Sequence, residues 1–264
     1  MTRRALALVA AATIGLAVAG ARAADRGRSI PEGPPAGSIP GGWTVVIAPY
    51  VWATGLAGDV GADGTIVHVD QSFGDIVADL DFGFLGMTEV RHDRFAVFSD
   101  FVYGKLSTTE DSPFPAYVDS VATKTTTVMW TGAATYRLVD AARASLDVAA
   151  GFRLVSLANQ LDLKGGSLDG RGGEQSVSWT DPIVGVMGDI DLSRRLYLTG
   201  WAMVGGFGVS SDSLWDVMGA AGYRFDDTVS MMLGYRAAAV DFENDSLTYD
   251  VSMRGLIAGV VLRY

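Results

Sequence analysis

From Trp43 onward the chain alternates with a period of two. Phe82, Phe84, Gly86, Thr88 and Val90 interleave with Asp81, Gly83, Leu85, Met87, Glu89 and Arg91, the pattern of a strand whose faces meet two different solvents. The tight link His92-Asp93-Arg94 turns the chain back. Phe95, Val97, Ser99, Phe101 and Tyr103 then interleave with Ala96, Phe98, Asp100, Val102 and Gly104 to give a second strand of similar length. The rhythm recurs over residues 128–138 and 146–154, and further strands are predicted over 43–54, 182–192, 196–207, 214–225, 229–242 and 248–264, ten in all.

The links alternate too. Those at 92–94, 139–143, 193–195 and 226–228 are short, whereas those near 55–79, 107–118 and 159–180 are long. Brief turns at one end and long loops at the other describe an up-and-down barrel of the bacterial outer membrane, and an even strand count returns both termini to the periplasm. The expected fold is therefore all-β: a single antiparallel transmembrane barrel of about ten strands, with eight or twelve as the neighbouring solutions. A soluble two-sheet sandwich alternates as well, but its strands average about 5 to 6 residues, against about 9 to 11 for tilted membrane strands. Closure follows from the solvent, because hydrocarbon cannot satisfy an open edge of N–H and C=O groups. Trp43, Tyr136, Tyr223, Phe225 and Tyr264 fall at predicted periplasmic strand ends, and Trp52, Trp215 and Phe242 toward the other ends, as two aromatic girdles require.

Within the first long link, Ser72-Phe73-Gly74-Asp75 has the spacing of a helix start, with Ser72 as cap and Asp75 as the third helical residue. Ile76, Val77 and Leu80 would supply its apolar face, so one short helix is expected in the first outer loop, against a plain packed loop as the simpler reading.

Ahead of the strands, Arg3 and Arg4 precede an apolar run over residues 5–21, and Ala21-Arg22-Ala23 offers small residues at a cleavage site. Residues 1–23 read as a secretory signal peptide rather than an uncleaved anchor. Residues 24–42, with Pro31, Pro34, Pro35 and Pro40 among glycines, read as a periplasmic tether, and the barrel is expected over 43–264.

Composition narrows the function classes. Charged residues make up 19% of the 264 and hydrophobic residues 49%, which excludes disorder for most of the chain, and glycines number 33. The absence of cysteine removes disulfides, thiolate zinc sites and cysteine nucleophiles, and two histidines leave little for imidazole chemistry. A net charge of −10, about −13 once Arg3, Arg4 and Arg22 are removed, argues against nucleic-acid binding.

Residues 256–264, apolar at alternate positions and ending on Tyr264, resemble the C-terminal signal of bacterial outer-membrane proteins. That resemblance implies recognition by the barrel-assembly machinery. Pro49-Tyr50-Val51-Trp52, Gly55-Leu56-Ala57-Gly58, Ser72-Phe73-Gly74-Asp75-Ile76, Asp181-Pro182-Ile183-Val184-Gly185, Gly205-Gly206-Phe207-Gly208 and Gly234-Tyr235-Arg236 resemble a proteobacterial family of predicted outer-membrane barrels without an established activity. It implies a location and a fold, and carries no catalytic residues over.

With the lipid face assigned, the other parity points into the lumen. Asp81, Glu89, Asp100, Asp147, Asp189 and Asp216 are expected there with Arg91, Arg137, Arg153, Arg224, Arg236 and Arg263. Pairing would satisfy both sets and pack a small barrel shut, while Gly83, Gly151 and Gly222 could leave gaps for a narrow pore.

Other chemistry is thin. His68, four residues before Ser72, could act with Ser72 and a carboxylate such as Asp70 or Asp75 in a lipid hydrolase, but the spacing has little specificity. Asp59, Asp63, Asp70, Glu110, Asp111, Asp162, Asp169, Glu174, Asp212, Glu243 and Asp245 crowd the outer loops, where oxygen-rich collars could hold the divalent cations that bridge lipopolysaccharide. A solvated acidic surface explains them as well. Gly205-Gly206-Phe207-Gly208 lacks the Lys-Ser/Thr of a phosphate loop. The expectation is a non-enzymatic outer-membrane barrel of a Gram-negative bacterium, without a cofactor, catalytic site or metal site. It would meet outer-membrane lipid and lipopolysaccharide in a structural or surface-binding role. A narrow channel for small solutes or apolar ligands is the alternative, and a lipid-modifying enzyme the third reading.

Overall fold

The computed structural model describes residues 42–62, 65–112, 117–244 and 247–264. The expected signal peptide, all but the last residue of the tether, Asp63 and Asp245 lie outside them. The strands are β1 (Trp43–Ala62), β2 (Thr65–Gln71), β3 (Leu80–His92), β4 (Phe95–Asp111), β5 (Ser120–Ala141) and β6 (Ala144–Lys164). They continue as β7 (Gly172–Asp191), β8 (Leu196–Gly206), β9 (Ser213–Arg224), β10 (Val229–Glu243) and β11 (Leu247–Arg263). Helix α1 (Phe73–Ala78) lies between β2 and β3.

Ten of these strands form a ring. β3 to β11 pair antiparallel in chain order, and β1 closes the circle against β11 from Val46↔Arg263 to Ala62↔Leu247. β2 is the extra strand, and it falls in a link where the sequence pattern predicts a loop and a helix. It exists because β1 is shared: Trp43 to Pro49 pair with β3, whereas Leu56 to Ala62 pair with β2. Helix α1 then carries the chain back to the start of β3. Its cap is the predicted one, with the Ser72 hydroxyl accepting from the Asp75 N–H and the Asp75 carboxylate accepting from the Ser72 N–H. Of the three apolar residues expected to face inward, Ile76 is buried in the core, Leu80 packs partly against it and Val77 faces solvent.

The links expected to be long at 107–118 and 159–180 are partly strand, over 107–111, 159–164 and 172–180. β4 runs out to Asp111, β5 spans 22 residues and β6 spans 21, whereas β8 has 11 and β9 has 12. The alternation fades in the outer parts, as in Lys124-Thr125-Thr126-Thr127, so the period of two cannot reveal strands that ladder hydrogen bonds alone maintain. The wall is therefore tall on the β4–β7 side and low at β8–β9.

Outward side chains form the apolar face, including Phe84, Val97, Val184, Leu233 and Leu256, all exposed. Trp43, Tyr136, Tyr223, Phe225 and Tyr264 are exposed at the end of the short turns, the one expected to face the periplasm, as a girdle requires. At the outer end only Trp215 keeps that role, because Trp52 and Phe242 turn inward and are buried. Their parity explains it: Trp52 shares a face with Ala48 and Tyr50, and Phe242 with Ala238 and Val240.

Candidate functional site

The lumen is built in storeys. At mid-height Arg236 on β10, 0% exposed, reaches across the barrel. Its Nε and Nη2 donate to the two oxygens of Asp216 on β9 at 3.2 and 2.7 Å, and Nη2 also donates to Asp100 on β4 at 2.8 Å. Nη1 donates to the Tyr50 hydroxyl on β1 at 2.9 Å, and that hydroxyl donates to Asp100 at 2.7 Å. Arg153 on β6 donates to Asp216 at 2.6 Å and to Thr131 at 2.9 Å, and the Trp201 indole donates to Asp216 at 2.9 Å. The Arg236 guanidinium lies over the rings of Trp52 and Trp201, 4.7 and 5.1 Å from their centroids. Two guanidiniums thus balance two carboxylates in a layer tied to seven strands, with the charges paired as burial requires.

A second group lies toward the periplasm. Arg91 bridges Glu89 at 2.9 Å and also donates to Asp147, which accepts from Arg137 at 2.9 Å. Arg224 bridges Asp191 at 2.7 Å and stacks on Tyr197. Asp189 accepts from Ser145 at 3.5 Å. Arg263 is exposed and has no ion pair among the described residues.

The twelve charges expected in one network are therefore divided. Asp100, Arg153, Asp216 and Arg236 form the middle layer, and Glu89, Arg91, Arg137, Asp147, Asp189, Arg224 and Arg263 line the periplasmic part. Asp81 belongs to neither. It sits exposed where β3 bulges between Leu80 and Phe82, and its carboxylate accepts from Ser107 at 2.6 Å. A bulge shifts parity locally, which a strict count of two does not register.

Outward of Arg236 the filling is apolar. Trp179 stacks on Phe242 at 4.1 Å between ring centroids and meets Tyr249 edge-on, with Leu106, Leu157, Ile183 and Ile257 buried in the same core. Asp181, fully buried, clasps the β8–β9 turn by accepting from the Ser211 N–H at 2.8 Å and its hydroxyl at 2.6 Å. That turn places Gly206, Phe207 and Gly208 all at positive φ, which suits glycine and accounts for two of the glycines in Gly205-Gly206-Phe207-Gly208. Two of the three glycines expected to leave gaps are covered: the Tyr197 ring lies where a Cβ of Gly222 would be, and Gly151 abuts the Gly132 carbonyl.

Sequence reasoning passed over Asp181, Tyr50 and Trp201. Inward parity was the available signal for all three, together with the adjacent Pro182 and Pro49 for the first two.

The hydrolase constellation does not assemble. His68 Nδ1 meets Asp59 at 2.8 Å on the exposed rim, rather than Asp70 or Asp75, and the Ser72 hydroxyl donates to Asp75 at 2.7 Å. Asp59, Asp250 and Asp241 lie side by side across β1, β11 and β10. No group of three His, Cys, Asp or Glu among the described residues could hold a metal ion. Asp79, after α1, has its carboxyl raised above the usual range because partial burial penalises the charge. The hydrogen bond from Thr108 opposes that shift and the charge of Asp75 adds to it.

No protein-family model and no curated protein matches the chain. Among solved structures, the outer membrane protease OmpT of Escherichia coli superposes with a TM-score of 0.53 at 10% identity, covering 86% of this chain and 98% of that one. The attachment invasion locus protein Ail of Yersinia pestis gives 0.36 at 11% identity, with 84% and 99% covered. Neisserial surface protein A gives 0.33 at 15%, with 84% and 97% covered. Identities this low speak to fold alone. By fold, the chain is a closed antiparallel ten-stranded barrel of the kind found in the Gram-negative outer membrane.

Proposed function

We propose that this protein is a closed, non-enzymatic barrel of the outer membrane, with a structural or surface-binding role in the envelope. The layer around Arg236 carries the reading. A fully buried guanidinium joined to Asp216, Asp100 and Tyr50 spans the lumen, and a continuous apolar core lies outward of it. Ions crossing that section would have to strip these charges of their partners and then traverse hydrocarbon-like packing. The engagement of the Ser72 hydroxyl with Asp75 rather than with His68 favours the non-enzymatic part.

Planar-bilayer recording of the purified wild-type protein tests the closure. The expected trace shows no steady conductance, and a stable open channel would overturn the reading. For the envelope role, deletion is expected to change detergent sensitivity while solute uptake stays unchanged. Loss of uptake of one solute would favour a transporter instead.

A further inference from the structure

Inward of the Arg236 layer the lumen is hollow. A cavity of about 120 Å³ and another of about 180 Å³ share Val46, Glu89, Asp189 and Arg263 in their walls. The larger is polar and lies at the periplasmic rim, bordered by Arg91, Arg137, Arg143 and Arg224. The smaller reaches up to Trp201 and is walled by Met87, Met187, Met218, Met232 and Phe98. Together they make a vestibule with a charged entrance and an apolar end.

We propose that this vestibule binds amphipathic monocarboxylates from the periplasm, with the carboxylate at Arg91 and Arg263 and the chain against the methionines. The charge accounting points to an anion. Glu89 and Asp147 are engaged by Arg91 and Arg137, and Asp191 by Arg224. Arg143 and Arg263 have no ion pair among the described residues, and both are exposed. Arg91 is nine-tenths buried, yet its Nη1 has no hydrogen-bond partner, an orphan that an entering carboxylate oxygen would satisfy. Among the described residues Asp189 is the one carboxylate there without an ion pair, accepting from Ser145 at 3.5 Å, and its charge sets the head of the ligand toward Arg91 and Arg263.

The far end selects the tail. Four methionines present polarisable, adaptable side chains and the Trp201 ring closes the end, so a flexible alkyl chain displaces water there at little cost. An alcohol or alkane would leave the arginines unanswered, and a small inorganic anion would leave the methionine end wet. The site stops below Arg236, so binding requires no path through the barrel and stands or falls separately from closure.

The test uses the full chain in lipid nanodiscs, with ω-bromooctanoate quenching tryptophan fluorescence and octanoate, octanol and acetate as competitors. Octanoate is expected to reverse the quenching at concentrations at least about tenfold lower than octanol or acetate. Arg263→Gln, a change at an exposed side chain, is expected to weaken octanoate about tenfold, and Ala48→Phe, which fills the inner cavity, to abolish binding. Trp201→Phe should remove most of the quenching. Equal competition by octanol would overturn the carboxylate site, and equal competition by acetate the apolar end. Octanoate affinity unchanged in Arg263→Gln, whose heat resistance reports an intact barrel, would overturn the proposal outright.

Discussion

On the outer side of Arg236 the lumen is packed with Trp179, Phe242, Tyr249, Ile183 and Leu157, and the carboxylate there, Asp181, is consumed by the Ser211 turn. On the periplasmic side the same ring of strands points Glu89, Arg91, Arg137, Asp189 and Arg263 around two cavities. Under the proposed closure, the outer half blocks passage by its dense apolar packing and the other by the charged layer at its end. The apolar half can be filled densely because its aliphatic and aromatic surface needs no partners, and the polar groups within it are few. The polar half must leave room for water or ligand around charges that its pairs do not fully satisfy.

Mutations can sharpen this contrast, and the largest effect is expected at the boundary. Arg236→Met leaves Asp216 and Asp100 buried with their main cation gone, at a cost of about 3 to 5 kcal/mol in urea unfolding of the folded barrel. Asp216→Asn added to that variant should restore part of the loss, since it removes one stranded charge. Were the single variant as stable as wild type, the layer would not be a structural unit.

On the outer side, Asp181→Ala strips the Ser211 N–H and hydroxyl of their acceptor and is expected to cost about 1 to 3 kcal/mol. Proteolysis at the β8–β9 turn should rise with it. Ser72→Ala removes the cap of α1 and should cost about 1 kcal/mol, read as faster amide exchange in Phe73–Ala78 while the barrel strands stay protected.

At the periplasmic rim, Arg224→Gln breaks a partly exposed pair with Asp191 and is expected to change stability by about 0 to 1 kcal/mol. Its small effect beside that of Arg236→Met would measure what burial adds to the same chemistry. Comparable losses in the two variants would erase the distinction between the halves.

Much of this was legible along the chain. Alternation from Phe82 to Tyr103 identified a hairpin that the structure forms as β3 and β4, and the Ser72/Asp75 spacing identified the cap of α1. Where legibility failed, a local rule had lost its signal. Strand β2 is short, with Ile66 and Val67 apolar on opposite faces, and the outer part of β5 is polar on both faces around Lys124-Thr125-Thr126-Thr127, so backbone pairing holds them without a clear alternating pattern. Asp81 was misplaced by a bulge, and Trp52 and Phe242 were read by height along the strand when parity had already turned them inward.

By itself, the sequence determined the inward or outward face of most side chains, because that follows from neighbours one or two positions apart, and it brought the ring to about ten strands, with eight and twelve left open until the structure closed it. Which arginine meets which carboxylate was decided only by the closed barrel. Arg236 and Asp100 are 136 residues apart and become partners once every strand between them has taken its register. The hollow beneath them has the same origin, since an unfilled volume belongs to the whole ring and to no segment of it.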